Sequence, residues 1–256
     1  MRRLDASPPG HHPETFRLAV PGEPSAFYIK LYAAPAGAGR IKDFFRDSKA
    51  LRALKQSEAL ERLGFNVPPP LAAGEERSGL ALGRAFLVTR EIVAQPLIQV
   101  LRARFVPPLD KSAVKRKRQW LAQLAREVRR LHQNGYVHGD LVASNIFVGF
   151  DVDDSAIFYL MDHDRTRHYP RGMPHHLWRR NLVQLNRLVL PGVSLQDRMR
   201  FARAYLGKDH WGNTERRLVR WLERKTRRRR KECGHIKAKV SFRELMRWNG
   251  PFAKNL

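Results

Sequence analysis

Apolar and polar positions along this chain follow two different rhythms. Residues 15 to 20 and 26 to 32 read as strands. Ala26-Phe27-Tyr28-Ile29-Lys30-Leu31-Tyr32 sets bulky, β-favouring residues around one lysine. Pro21-Gly22-Glu23-Pro24 between the two strands is a turn signal, so they form a hairpin. Ile41, Phe44, Phe45, Ala50, Leu51, Leu54, Leu60 and Leu63 then give an apolar stripe, predicting a helix over 41–63 stopped by Gly64. A further strand lies at Ala85-Phe86-Leu87-Val88-Thr89. Beyond residue 93 the helical period dominates. Pro96 to Val106 reads as a short helix ended by Pro107-Pro108. In Lys111 to His132, Trp120, Leu121, Leu124, Val128 and Leu131 fall on one face, and Asn134-Gly135 is a left-handed stop. Two short apolar strands follow, one after Asn145 and one from Ala156 to Met161, joined by an acidic turn from Asp151 to Ser155. Helices are predicted over 177–190, over 195–206 with Ser194 as cap and Gly207 as stop, and from Asn213 or Thr214 through Leu218, Val219, Trp221 and Leu222. Residues 242–255 read as a short helix or tail. The expected class is α+β. Residues 1–14 are a flexible N-terminus, 15–92 a small β-rich lobe, and 93–256 a helical lobe with basic C-terminal helices.

Charge narrows the partners. The 256 residues carry 49 Lys and Arg against 24 Asp and Glu, a formal net charge of +25. An excess of this size calls for an anionic partner: nucleic acid, an anionic membrane face, or a phosphorylated or carboxylated substrate. Two clusters stand out. Lys111, Lys115, Arg116, Lys117 and Arg118 are expected on the exposed face of one helix, and residues 225–231 form a polybasic run. Cys233 is the sole cysteine, which excludes an intrachain disulfide and fits a reducing compartment. No run approaches the ~20 apolar residues that span a membrane, and Met1-Arg2-Arg3 is not followed by an apolar core. The expectation is a soluble cytoplasmic protein.

One stretch carries the chemistry. His138-Gly139-Asp140-Leu141 is followed by Asn145, five residues after the aspartate, and then by a strand. The next strand ends at Asp162, within Met161-Asp162-His163-Asp164-Arg165. A hairpin of this length can bring Asp140, Asn145 and Asp162 to one end of its strands. Each element alone is a common turn or cap signal. Together they supply what phosphoryl transfer requires: a carboxylate to accept a hydroxyl proton, and an amide with a second carboxylate to hold Mg²⁺.

The His-Gly-Asp-Leu run with its Asn, followed by the apolar-Asp segment, resembles the catalytic core of protein-kinase-like phosphotransferases, with Gly139 where protein kinases have Arg. Asp162-His163-Asp164-Arg165 resembles the Asp-x-Asp-Arg ending of the bacterial lipopolysaccharide core kinases, which phosphorylate Kdo or heptose of the inner core with ATP. Gly64 to Gly74 is similar to the Pro-rich connector of those enzymes, and Phe201 to Gly207 resembles them again. The likeness covers roughly residues 26 to 207. It implies a two-lobed protein-kinase-like fold and an ATP- and Mg²⁺-dependent transfer to a Kdo or heptose hydroxyl. Asp140 would orient and deprotonate that hydroxyl, and Asn145 and Asp162 would hold Mg²⁺. Lys30 would hold the nucleotide phosphates, with Glu58 or Glu61 positioning it, and backbone groups of Glu91 and Ile92 would bond adenine. Asp164 would help with metal or substrate, and Arg165-Thr166-Arg167-His168 with an anionic group on the sugar. The glycine-rich phosphate loop is degenerate, leaving only Pro21 to Ser25 before Lys30. The implied partners are ATP, an anionic glycolipid or saccharide acceptor, and peripheral contact with an anionic membrane at the inner face of the inner membrane, ahead of nucleic acid. Three readings compete. The same loop resembles RIO-like atypical protein kinases and antibiotic phosphotransferases, and a basic pseudokinase scaffold would need no catalysis at all.

Overall fold

The computed structural model describes residues 2–3, 13–34, 46–79, 81–106, 108–172, 174–187 and 192–232. The expectations for residues 35–45, for Leu188 and Val189, and for the stretch holding Cys233 and residues 242–255 lie outside them. The chain forms two compact units. One is Met1–Ala94 with Tyr159–Thr166, and the other is Gln95–Phe158 with Arg167–Leu256. The segment 159–166, expected in the helical lobe, therefore belongs with the first unit.

The first unit holds an antiparallel sheet of β1 (Arg2–Arg3), β2 (Glu14–Leu18), β3 (Phe27–Tyr32), β4 (Pro70–Ser78) and β5 (Ala81–Arg90), in the order β1-β2-β3-β5-β4. Lys30 sits on the central strand, opposite Thr15 on one side and Leu87 on the other. Helix α1 (Lys49–Arg62) lays Ala50, Ala53, Ser57 and Leu60 inward. Ala50 and Ala53 share a cluster with Tyr32, Ala85 and Leu87. The predicted helix began at 41, but α1 begins at Lys49, because the Ser48 side chain accepts the Leu51 N–H at 3.1 Å and closes its first turn. The Pro-rich connector is a second departure, since half of it is β4. The strand lies at the sheet edge and Pro70 is its first residue, so the missing N–H costs no ladder bond. Gly74 admits the Phe86 ring from β5: a Cβ there would lie 2.4 Å from it. Beyond β5, the carbonyl of Asn66 accepts the N–H of Leu160 at 2.9 Å, and a 3₁₀ turn over His163–Arg165 packs on α1.

The second unit is built on α3 (Lys111–Gln133), which the apolar period had outlined almost to the residue. The other helices are α2 (Leu97–Arg104), α4 (His175–Asn186), α5 (Leu195–Leu206), which packs along α3, and α6 (Asn213–Glu232), which packs on α4. A small sheet runs β6 (Gln95–Pro96), β8 (Ile146–Phe150), β9 (Ala156–Leu160), and β7 (Tyr136–Val137) pairs with β10 (Arg167–His168). Trp120 packs against Phe105 edge-on, ring centroids 5.2 Å apart. Lys117 corrects the basic-face expectation. It is wholly buried, donating to the Gly192 carbonyl at 2.6 Å and pairing with Asp197 at 2.8 Å. Asp197 also completes a capping box with Ser194 at the start of α5. A charge so enclosed is tolerable only because every partner is in place. The remaining cations of that cluster, Lys111, Lys115, Arg116 and Arg118, are exposed, and Arg116 pairs with Asp154 at 2.9 Å.

Candidate active site

In the second unit the chain leaves β7 at His138 and makes a tight loop to β8. Leu141, Val142 and Ala143 are buried and anchor it. The Asp140 carbonyl accepts the Val142 N–H at 3.0 Å and the Asn145 side-chain Nδ2 at 3.0 Å, and Nδ2 also lies 3.5 Å from Asp140 Oδ2. The loop thus bends back so that Asp140 and Asn145, five residues apart, are neighbours. Because the nitrogen of Asn145 is turned to Asp140, its Oδ1 is the atom left to meet a cation.

Two residues from α4, which the sequence did not single out, hold this loop. Asn181 Oδ1 accepts the His138 N–H at 3.0 Å. Gln184 Nε2 reaches the Gly139 carbonyl and Asp140 Oδ1, both at 3.2 Å. Asn181 lies 43 residues along the chain from His138, so no local pattern shows the contact. On α3, His132 bonds Asn181 Oδ1 at 3.1 Å and the Tyr205 hydroxyl at 2.8 Å. Burial lowers the pKa of His132 to about 4, outweighing the hydrogen bond to Asn181 that raises it, so the ring is neutral.

In the first unit Lys30 Nζ pairs with Asp162 Oδ1 at 2.6 Å. The two side chains keep 24% and 37% of their surface exposed, so the pair lies open to a ligand. Asp162 takes a left-handed backbone, φ 63°, ψ 68°, uncommon for a residue with a Cβ. Such strain survives only where surrounding contacts impose it, and it concentrates at functional sites. Here His163, buried, bonds the Leu160 carbonyl at 2.9 Å and Thr166 at 3.2 Å and pins the turn. Burial, and then the neighbouring Asp162 carboxylate, raise the pKa of Asp164.

Lys30 therefore has Asp162, rather than Glu58, as its carboxylate. Glu58 is half-buried on α1 and Glu61 is exposed. The inward position beside Tyr32 belongs to Ala53, which has no charge to offer. The adenine expectation needs a similar correction. The N–H of Glu91 already donates to the Ala26 carbonyl at 2.8 Å, and the Ile92 carbonyl accepts from Ala94 at 3.1 Å. The carbonyl of Glu91 and the N–H of Ile92 are the groups left for a base. Its side chain is held by Arg17 at 2.7 and 2.8 Å and by the Tyr28 hydroxyl at 3.1 Å, chiefly the former, which bring its pKa to about 2. In the Pro21-to-Ser25 turn, a side chain at Gly22, φ +88°, would meet nothing within 4 Å. Of the basic run after Asp162, Arg165 and Arg167 are exposed, Thr166 is buried, and His168 stacks on Tyr136 at 4.4 Å. The candidate residues thus fall as two pairs: Asp140 with Asn145 in one unit, and Lys30 with Asp162 in the other.

The chain has counterparts among known proteins. A model of the lipopolysaccharide kinase (Kdo/WaaP) family matches residues 40–205, well over half of the chain. The match includes Asp140, Asn145 and Asp162 and stops short of Lys30. A 3-deoxy-D-manno-octulosonic acid kinase from Photobacterium profundum is 32% identical over 102 residues, 40% of this chain. The aligned part is 37% of that enzyme, so the chain spans little more than a third of the curated relative it matches. A solved structure of WaaP in complex with acyl carrier protein superposes with a TM-score of 0.61 at 22% identity, over 86% of each chain. That likeness shows the fold, a protein-kinase-like α+β architecture with a small antiparallel sheet and a helical region.

Proposed function

Since the chain belongs to the lipopolysaccharide kinase (Kdo/WaaP) family, we propose that it moves the γ-phosphoryl group of ATP to a Kdo or heptose hydroxyl of the lipopolysaccharide inner core. The observation that carries this reading is that one family match takes in Asp140, Asn145 and Asp162 together. In the reaction, Asp140 orients the acceptor hydroxyl and takes its proton as the oxygen bonds to phosphorus and the bond to ADP breaks. Lys30 holds the nucleotide phosphates, and Asp162 fixes its ammonium at 2.6 Å. Asn145 Oδ1 and the Asp162 carboxylate are hard oxygen donors of the kind Mg²⁺ takes, and they are the groups that would hold it. Bound there, the ion would neutralise charge on the phosphates. Glu91 offers adenine its carbonyl. Arg165 and Arg167, both exposed and cationic, are suited to a carboxylate or phosphate on the sugar. A cationic surface also suits an acceptor built at an anionic membrane face, and we place the chain there as a peripheral protein.

The test is to incubate purified protein with Mg²⁺ and γ-labelled ATP, offering deacylated inner-core saccharide and, separately, ribosomal protein with RNA. Label on a Kdo or heptose position supports the proposal. Label on protein alone would point to an atypical protein kinase, and absence of both label and Mg-ATP binding to a scaffold.

A further inference from the structure

Asp140 is aimed by a chain of hydrogen bonds whose direction can be worked out from one fixed point. The His138 backbone N–H is a donor in any state, so the Asn181 atom that meets it at 3.0 Å is the oxygen. That leaves Asn181 Nδ2 as the donor to Gln184, 3.0 Å away, and to the His138 carbonyl at 3.3 Å. The Gln184 atom facing it is then Oε1, and Nε2 must point the other way, with one proton for the Gly139 carbonyl and one for Asp140 Oδ1, each at 3.2 Å. The same logic gives His132 its tautomer. Nε2–H donates to Asn181 Oδ1, and Nδ1 accepts from the Tyr205 hydroxyl. Asn181 is wholly buried, so reversing any member would set donor against donor or acceptor against acceptor.

We infer that Gln184 is a positioning residue for phosphoryl transfer: it holds Asp140 Oδ1 and leaves Oδ2 as the atom that receives the acceptor proton. This rests on the proposed role of Asp140. The other contact to the carboxylate, Asn145 Nδ2 at 3.5 Å from Oδ2, is at the limit of a hydrogen bond. Without Gln184 the carboxylate could rotate about χ2, a broad torsion. A misplacement of about 1 Å at a reacting group can cost roughly 100-fold in rate.

Three substitutions of similar length separate this role from bulk. Gln184→Met fills the space without polarity. Gln184→Glu keeps the acceptor for Asn181 but turns a carboxylate on Asp140. Gln184→Lys keeps a donor toward Asp140. Steady-state rates of the full chain are compared with wild type and with Asp140→Ala. The expected order of kcat is wild type, Lys, Met, Glu, with Met lower than wild type by roughly 10- to 100-fold and KM for ATP within about twofold. Should the Met protein fail to fold, the Lys-to-Glu comparison decides, since both carry a polar chain that reaches Asp140 but with opposite charge. Equal losses in all three, or wild-type kcat in folded Gln184→Met or Gln184→Glu, would overturn the inference. In that case Asp140→Ala still separates the two ideas: its loss of turnover keeps the kinase reading, and its retention removes both.

Discussion

Lys30 and Asp162 form the most informative contact, since neither is explained by packing alone. A lysine on a central strand, 24% exposed and 2.6 Å from a strained aspartate, is arranged to meet a ligand. Substituting Lys30→Met should lower kcat/KM for ATP by on the order of 100-fold, as expected for one charged contact to a transferring phosphoryl group, and leave the thermal midpoint within a few degrees. A larger shift in midpoint than in rate would make the lysine structural. His132 gives a second prediction, this time of stability. Its pKa falls from 6.5 in the unfolded chain to about 4 in the fold, so the unfolded state binds the proton more tightly. The stability this neutral ring contributes is fully present above pH 6.5 and is lost as pH falls towards 4, a total on the order of 3 kcal/mol. Denaturant midpoints at about pH 7 and about pH 4.5 check it, with a smaller difference expected in His132→Gln. At this scale Asp140, Asn145, Asp162 and Lys30 stand out in the sequence because their spacing is local or their surroundings apolar. Gln184, Asn181 and the pairing of Lys30 with Asp162 do not. Those contacts cross 44, 43 and 132 residues, and a linear pattern carries no trace of them.

Helices with a continuous apolar stripe were legible at the level of elements. α3 and α5 begin and end where periodicity, Ser194, Asn134 and Gly207 place them. β4 was not legible, because an edge strand needs neither alternation nor apolar residues, and Pro70 obscures it. Lys117 misled for a related reason. Its position on the helical wheel borders the apolar face, and its burial depends on a carboxylate, Asp197, far along the chain. Substituting Asp197→Ala should therefore destabilise the second unit by about 3–5 kcal/mol, since it strands a buried ammonium. Removing Glu223, which pairs with exposed Arg227, should cost less than about 1 kcal/mol. Urea unfolding of the two variants gives the comparison, and equal losses would contradict it. Gly192→Ala should also destabilise. The position needs φ +73°, and a Cβ would lie 2.0 Å from the Phe105 carbonyl oxygen, so backbone has to move.

The net charge of +25 is a property of the whole molecule, and the fold uses little of it. Most of the described cations are exposed or half-exposed, while the buried Lys117 pair is an exception. Among the described residues no helix is long and apolar enough to cross a membrane. Sedimentation with vesicles containing anionic lipid should be strong at low ionic strength and fall steeply by about 0.3 M salt, where the Debye length is under about 6 Å. Binding that ignores salt, or that matches zwitterionic vesicles, would contradict peripheral attachment by charge.

The proposed chemistry turns on Asp140 accepting the proton of a saccharide hydroxyl in phosphoryl transfer. Its most direct test pairs turnover with nucleotide binding in Asp140→Ala, using deacylated inner-core saccharide and Mg²⁺. Phosphate transfer should fall by roughly 1,000-fold or more, with ATP affinity within about threefold of wild type. Wild-type turnover in this variant would contradict it outright.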